Sequence, residues 1–292
     1  MTDICSVTVW FNPDSSAVQN LLSYSSAMKT AYIIDNSDSD NSGLCSEIAN
    51  AVYLPNFTNM GIAAGLNKGC ERAFSDGNIL CMTMDMDSSF EVAELKAYLS
   101  FARENFSETN VSFCPLAVYE KPRSVLGSIK HALLRENNTI NMTGGGGSMS
   151  INRCITSGNI ISLAAWKEVG CFYEPFFIDE VDYEFCYKLK EAGYTILLNR
   201  DVQMNHVLGN PRRTFYPCSS YHSGERLYYI FRNLIFNQQL HPEYCRRLNY
   251  RKKILHRIKE VLFNLRFSQI PWLVRGWKDA RRGRLGKYEG RK

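Results

Sequence analysis

The sequence predicts an open α/β sheet, its strands parallel and joined by helical crossovers. Three observations carry this. Short apolar, β-rich runs alternate with stretches of helical period through residues 7–105. Several of these runs stop at Asn-, Asp- or Pro-containing turns. The order strand, helix, strand, strand, helix, strand requires crossovers rather than hairpins. At 292 residues, 45% hydrophobic and 22% charged, the chain can bury a sizeable core, and disordered, collagen-like and coiled-coil classes are excluded.

The elements follow in order. Residues 7–11 (VTVWF) form a strand ending at Asn12-Pro13-Asp14, and 16–29 carry a helical pattern. Residues 31–34 (AYII) form a second strand that stops at Asp35, and 51–54 a third. A helix spans 61–74, with Ile62, Leu66, Cys70 and Ala73 on one face. The glycines at 61, 65 and 69 do not fit a dinucleotide fingerprint and read as helix packing. The run 79–84 (ILCMTM) is a buried strand leading into Asp85-Met86-Asp87, and a helix covers about 91–105. Further on come a strand at 111–116, a mobile glycine-rich loop at 143–150, a short helix at 162–169, a firmer helix at 180–192 and a strand at 195–198. Residues 211–219 read as a connecting loop, and the chain is helical from about 220. The expected division is a sheet domain over 1–215 and a basic helical region over 216–292.

Ligands of open α/β sheets sit beyond the carboxyl ends of the strands. Asn12, Asp35 and the Asp85/Asp87 pair fall at three such ends, which points to a nucleotide-type pocket with a metal. Two carboxylates at i and i+2 on a turn suit Mg²⁺ or Mn²⁺, which take oxygen ligands and keep positions open for phosphate. A second acidic cluster, Asp179, Glu180, Asp182 and Glu184, opens a helix after Phe176-Phe177-Ile178. Capping accounts for one or two of these acids; crowding of the rest raises carboxyl pKa values and can supply a general base. His206 can complete a metal shell with Asp87. The serines lack sequence partners for a hydrolase triad.

These segments resemble the inverting family 2 glycosyltransferases of GT-A fold, in their rhamnosyltransferase-like branch. The likeness rests on VTVWFNPD (7–14), YIIDNSDSD (32–40), NFTNMGIAAGLNKGCERA (56–73), MTMDMDSSF (82–90), the stretch 176–209 and SSYHSGERLYYIFRNLIF (219–236). The resemblance implies a transferase that moves a sugar from a nucleotide diphosphate, dTDP- or UDP-linked, to a glycan or lipid-linked acceptor, with Mn²⁺ or Mg²⁺. It implies that Asp35 bonds the pyrimidine base, with Phe11, Asn12, Asn59 and Gly61 lining the nucleotide pocket. Asp85 would serve ribose and metal, Asp87 and His206 would ligate the metal, and Asp182 would be the base. Val181-Asp182 stands where the family has Glu-Asp, which leaves Asp179 and Glu180 as alternative bases. Ser157, Gly158 and Asn159 resemble a segment near the acceptor. The rivals are a haloacid dehalogenase-type phosphohydrolase, which shares the strand-D-x-D pattern, and an inactive membrane-bound scaffold.

Charge is unevenly distributed. Residues 241–292 hold 16 Lys and Arg against 4 Asp and Glu, whereas 1–240 hold 18 against 25. The acidic body argues against nucleic acid as a partner. In the tail, Leu248, Leu255, Ile258, Leu262 and Leu265 recur at helical spacing among Arg and Lys, with Trp272 and Trp277 beyond. That pattern fits an anionic membrane surface or a helix packed on the body. The start has no secretory pattern, no apolar run is long enough to span a bilayer, and the ten cysteines are scattered. The expected place is cytoplasmic, with reduced thiols, peripheral on the inner face of the cell membrane.

Overall fold

The computed structural model describes residues 4–119, 147–206, 216 and 222–290. They fall into two compact units. The first comprises residues 4–118, 147–206 and 286–290; the second comprises 216 and 222–285. The segment 286–290 therefore returns to the sheet unit, and the expected boundary at 215/216 does not include this return. Gly286 N donates to Pro175 O at 2.6 Å, and Lys287 Nζ to Asn59 O at 3.1 Å.

The first unit is built on a nine-stranded sheet in the order β3-β2-β1-β4-β8-β6-β9-β5, with β7 also paired to β9. β1 (Ile4–Trp10), β2 (Ala31–Asp35), β3 (Ala51–Pro55) and β4 (Leu80–Asp85) are parallel. β1, β2 and most of β4 are buried, as the nearly uninterrupted apolar runs require when helices cover both faces. Beyond β4 the pairing turns antiparallel. β5 (Ser88–Ser89) pairs with β9 (Thr195–His206), β6 (Asn110–Tyr119) with β8 (Asn159–Ser162), β8 with β4, and β7 (Ser148–Ile151) with β9. β7 thus occupies the end of what reads as a glycine-rich loop; residues 143–146 lie outside the described residues.

The helices start where their caps are. α1 (Ser15–Ser25) is capped by Asp14, whose carboxylate accepts from the amides of Ser16 and Ala17. α2 (Ile62–Ser75) buries Ala63, Gly65, Leu66, Gly69, Cys70 and Ala73. A Cβ on Gly65 would meet Val9 at 3.0 Å, and one on Gly69 would strike Val7, so the glycines serve the close seating of α2 on β1. α3 (Val92–Asn105), α4 (Leu163–Glu168) and α5 (Val181–Glu191) match the expected helices within two residues. The nine described cysteines carry no disulfide.

The second unit contains α6 (Gly224–Leu240), α7 (Pro242–Arg247), α8 (Tyr250–Phe263) and α9 (Ile270–Arg281). Leu227, Phe231, Val261 and Leu273 form its core, with Ile235, Ile254, Ile258 and Ile270 packed around them. Arg232 is buried against Tyr228 and Tyr229, its guanidinium 5.3 and 5.0 Å from the two ring centroids. Buried Glu260 is paired with Arg257 at 2.8 Å and Arg266 at 3.3 Å. No helix among the described residues is long and apolar enough to cross a membrane.

Candidate active site

The carboxyl ends of the parallel strands lie side by side. Register sets Trp10 beside Asp35, Val9 beside Asp85, and Asp35 beside Pro55. Phe11 and Asn12, both exposed, leave the end of β1, and Asn12 takes a left-handed φ of 50°. Its amide donates to Ser37 Oγ at 2.7 Å. Asn59 Oδ1 accepts from Gly61 N at 2.9 Å and so fixes the turn into α2. The sheet gathers these residues from four separate loops.

Asp35 is fully buried and its carboxylate is already occupied. Oδ1 accepts from Ser37 N at 2.9 Å and Ser37 Oγ at 2.6 Å; Oδ2 accepts from Asn41 Nδ2 and Tyr53 Oη, each at 2.7 Å. In this arrangement Asp35 shapes the loop after β2.

Asp85, Asp87 and His206 converge. One ligand atom from each lies within 4.8 Å of the others, the donor set expected of a hard divalent cation site with one imidazole. Ser88, next to Asp87, is in register with His206 across the β5–β9 pair, which brings together residues far apart in sequence. His206 Nδ1 lies 3.3 Å from Asp87 Oδ1 and 2.6 Å from Ser88 Oγ. Burial by itself would lower the His206 pKa, but the hydrogen bond and charge of Asp87, with the charge of Asp85, outweigh it and the net shift is upward.

The strand expected at 195–198 is longer: β9 runs unbroken over twelve residues and His206 is its last. The polar run Asn199-Arg200-Asp201 hides the continuity. A period of two is nonetheless present, with Ile196, Leu198, Val202 and Met204 buried at alternate positions.

The residues expected near the acceptor are closely packed. Ser157 and Asn159 are buried, and a Cβ on Gly158 would meet Met204 Sδ at 2.6 Å and Pro115 at 2.9 Å. Ser157 Oγ accepts from Asp85 N at 3.2 Å and donates to Ser88 Oγ at 2.7 Å, while Asn159 Oδ1 accepts from Ser112 Oγ at 2.8 Å. In this arrangement Ser157 supports the Asp85–Ser88 turn, while Gly158 and Asn159 are enclosed by neighbouring strands. The chain from the Asp85 amide through Ser157 and Ser88 to His206 is the part that sequence reasoning missed; four residues from three segments meet only once β4, β5, β8 and β9 are paired.

The acidic cluster divides by environment. Glu184 is buried and paired with Lys188 at 3.3 Å, within the helix. Phe177, Asp179 and Glu180 take left-handed φ values of 64°, 67° and 63°, a strained approach to α5. Asp182 lies in the first turn of α5 and accepts from Tyr183 N at 2.9 Å. Burial, then the charges of Glu180, Asp179 and Asp85, push its carboxyl up to about 8 against the Tyr183 hydrogen bond, which lowers it. That environment suits a general base.

A separate cavity of about 660 Å³ flanks α2 and is lined by Asn67, Lys68, Trp166, Tyr173 and Glu174 among others; none of the residues above lines it.

No family model matches the chain. It is 27% identical over 215 residues to a dTDP-rhamnosyl transferase, RfbF, of Shigella flexneri; the match covers 71% of this chain and 66% of that protein. The chain thus spans just under two thirds of the length of the curated relative it matches. Among solved structures it is similar to Staphylococcus aureus TarS 1–349 in complex with UDP-GlcNAc, with a TM-score of 0.61 at 13% identity, covering 97% of this chain and 82% of that one. It is also similar to GalNAc-T7 with UDP, GalNAc and Mn²⁺, with a TM-score of 0.57 at 12% identity, covering 78% and 47%. The fold is GT-A, and the sequence likeness is of the rhamnosyltransferase-like kind.

Proposed function

We propose that this GT-A chain is a metal-dependent, inverting family 2 glycosyltransferase. It moves a sugar, rhamnose by the branch it resembles, from a dTDP- or UDP-linked donor to a hydroxyl of a glycan or lipid-linked oligosaccharide in bacterial surface polysaccharide synthesis. The observation that carries the reading is the convergence of Asp85, Asp87 and His206 at the carboxyl end of β4, with the Asp182 carboxyl raised by burial and then by neighbouring charge that includes Asp85.

The donor base and ribose lie over Phe11, Asn12, Asn59 and Gly61, with Asp85 toward the ribose. A direct bond from Asp35 to the base requires one of its four present partners to yield. Asp85, Asp87 and His206 would hold Mn²⁺ or Mg²⁺, which when bound would offset the charge that develops on the departing diphosphate. Asp182 takes the proton of the acceptor hydroxyl as that oxygen attacks the anomeric carbon. The bond from that carbon to the phosphate oxygen breaks on the opposite face, and the diphosphate leaves with the electron pair. One displacement inverts the centre.

Mn²⁺ titration with UDP or dTDP, followed by electron paramagnetic resonance, tests the site. The parent chain is expected to bind Mn²⁺, and Asp87→Ala or His206→Ala to weaken it by at least about tenfold. If neither nucleotide diphosphate raises the thermal midpoint, with or without Mn²⁺, the reading fails. The anomeric configuration of the product, read by NMR, decides inversion.

A further inference from the structure

α8 has two apolar faces, and the second unit uses one of them. Ile254, Ile258 and Val261 pack with Leu227, Phe231 and Leu273. The exposed positions of the helix are Arg251, Lys252, Leu255, Lys259, Leu262 and Phe263. At about 100° per residue they occupy one sector roughly 120° wide. The exposed face of a solvated helix carries acids and amides among its bases; this one holds only cations and large apolar side chains. The chain beyond the helix continues the pattern. Leu255, Leu262, Phe263, Leu265 and Phe267 are 49%, 43%, 52%, 74% and 56% exposed. The acid of this stretch, Glu260, is buried between Arg257 and Arg266, so it does not offset the cations outside. The apolar stripe read from the sequence therefore merges two faces: Ile258 belongs to the core, whereas Leu255, Leu262 and Leu265 point to solvent.

We infer that this face docks in the plane of an anionic lipid bilayer. Leu262, Phe263, Leu265 and Phe267 enter the headgroup–acyl boundary, and Arg251, Lys252 and Lys259 meet the lipid phosphates. Nucleic acid would use the cations but leave five large apolar side chains in water. A bilayer satisfies both sets on one surface, and no helix among the described residues is built to cross it. The proposed lipid-linked acceptor gives this contact a use. The contact needs no donor, acceptor or metal, so it stands or falls separately from the transferase reading.

The test is sedimentation of the full chain with phosphatidylcholine vesicles, pure or containing about 30 mol% phosphatidylglycerol. Two variants accompany it, Leu262→Ser with Phe263→Ser and Leu265→Ser, and Arg251→Glu with Lys259→Glu. The parent is expected to bind the anionic vesicles and to be released by high salt. Each variant is expected to lose about tenfold or more in partitioning, with an unchanged thermal midpoint, since the altered side chains are exposed. A parent that stays in the supernatant, or variants that sediment like the parent, would overturn the inference. So would light scattering that shows a parent dimer, dispersed in the triple variant, without vesicle binding; the face would then belong to a second copy.

Discussion

Asp182→Asn is expected to lower turnover by about 10²–10⁴ while leaving donor binding intact, because it removes the proposed proton acceptor without emptying the donor pocket. Initial rates and UDP or dTDP titration separate the two effects. Asp179→Asn and Glu180→Gln are the comparison; if either costs more turnover than Asp182→Asn, the base lies there. A carboxyl held at about 8 must ionise to act, so kcat/KM of the parent should climb with pH and flatten near that value. The same shift has a stability consequence of opposite sign. Unfolded, the group titrates near 3.8; folded, it titrates at about 8. The folded chain therefore binds the proton more tightly. This contribution to stability is complete below the unfolded value and is lost as pH rises through the folded one. Asn carries no charge to bury. Its thermal midpoint should equal that of the parent in acid and exceed it by a few degrees, on the order of 2–6 °C, above neutrality. An inactive variant that is more stable only at high pH distinguishes a working carboxylate from a merely structural one.

Gly61→Ala should produce a large loss of stability. Gly61 has a φ of 87°, and a Cβ there would meet Phe177 O at 2.5 Å and Phe177 Cδ2 at 2.6 Å. The obstructing oxygen is backbone, and it accepts the Ile62 amide at 2.8 Å, so it cannot swing away. Gly61 O in turn accepts from Asn36 Nδ2 at 3.0 Å. The Cβ would push apart the start of α2 and the strained segment that leads to Asp182. The expected cost is roughly 2–4 kcal/mol, a midpoint lowered by on the order of 5–10 °C, with transfer falling further than stability explains. Gly77→Ala is the control. Its φ is 77° with nothing within 4 Å of the added Cβ, so it isolates backbone strain, about 1 kcal/mol. Equal melting of the two variants would show that the contact with Phe177 does not matter.

The parallel half of the sheet was legible because its signals are local. Apolar runs, polar stops and helical period all act within ten residues, and Asp14, Asp35 and Asp85 stand at the turns they punctuate. The antiparallel half was legible only in part: the core of β6 and the start of β9 stood out, whereas β5, β7 and β8 did not. β8 is four residues long and passes directly into α4, so neither period nor length marks it. β9 was cut short by polar residues that a strand with one wetter face accommodates. The acidic residues and the histidine proposed for the site were legible from residue type and resemblance. The packing of Ser157 was not legible for a physical reason: a Thr-Ser-Gly segment looks the same in sequence whether it faces a ligand or a neighbouring strand. The position of Asp35 at the end of β2 was legible, but its saturation by Ser37, Asn41 and Tyr53 depends on contacts across a loop and β3.

The pairing of two-residue β5 with the end of β9 ties occupancy to folding. His206 and Ser88 are 118 residues apart, and the two-residue ladder, the Ser88–His206 hydrogen bond and the acid–imidazole contact join the tip of β9 to the Asp85–Ser88 turn. Anything that bridges Asp87 and His206 adds a further link across this junction. By mass action, a ligand at a hundred times its dissociation constant adds about 2.7 kcal/mol to the linked form. Amide hydrogen exchange along residues 203–206 should therefore slow as the site fills. The strand end becomes a built-in gauge of cation occupancy, readable without turnover and without knowing the sugar.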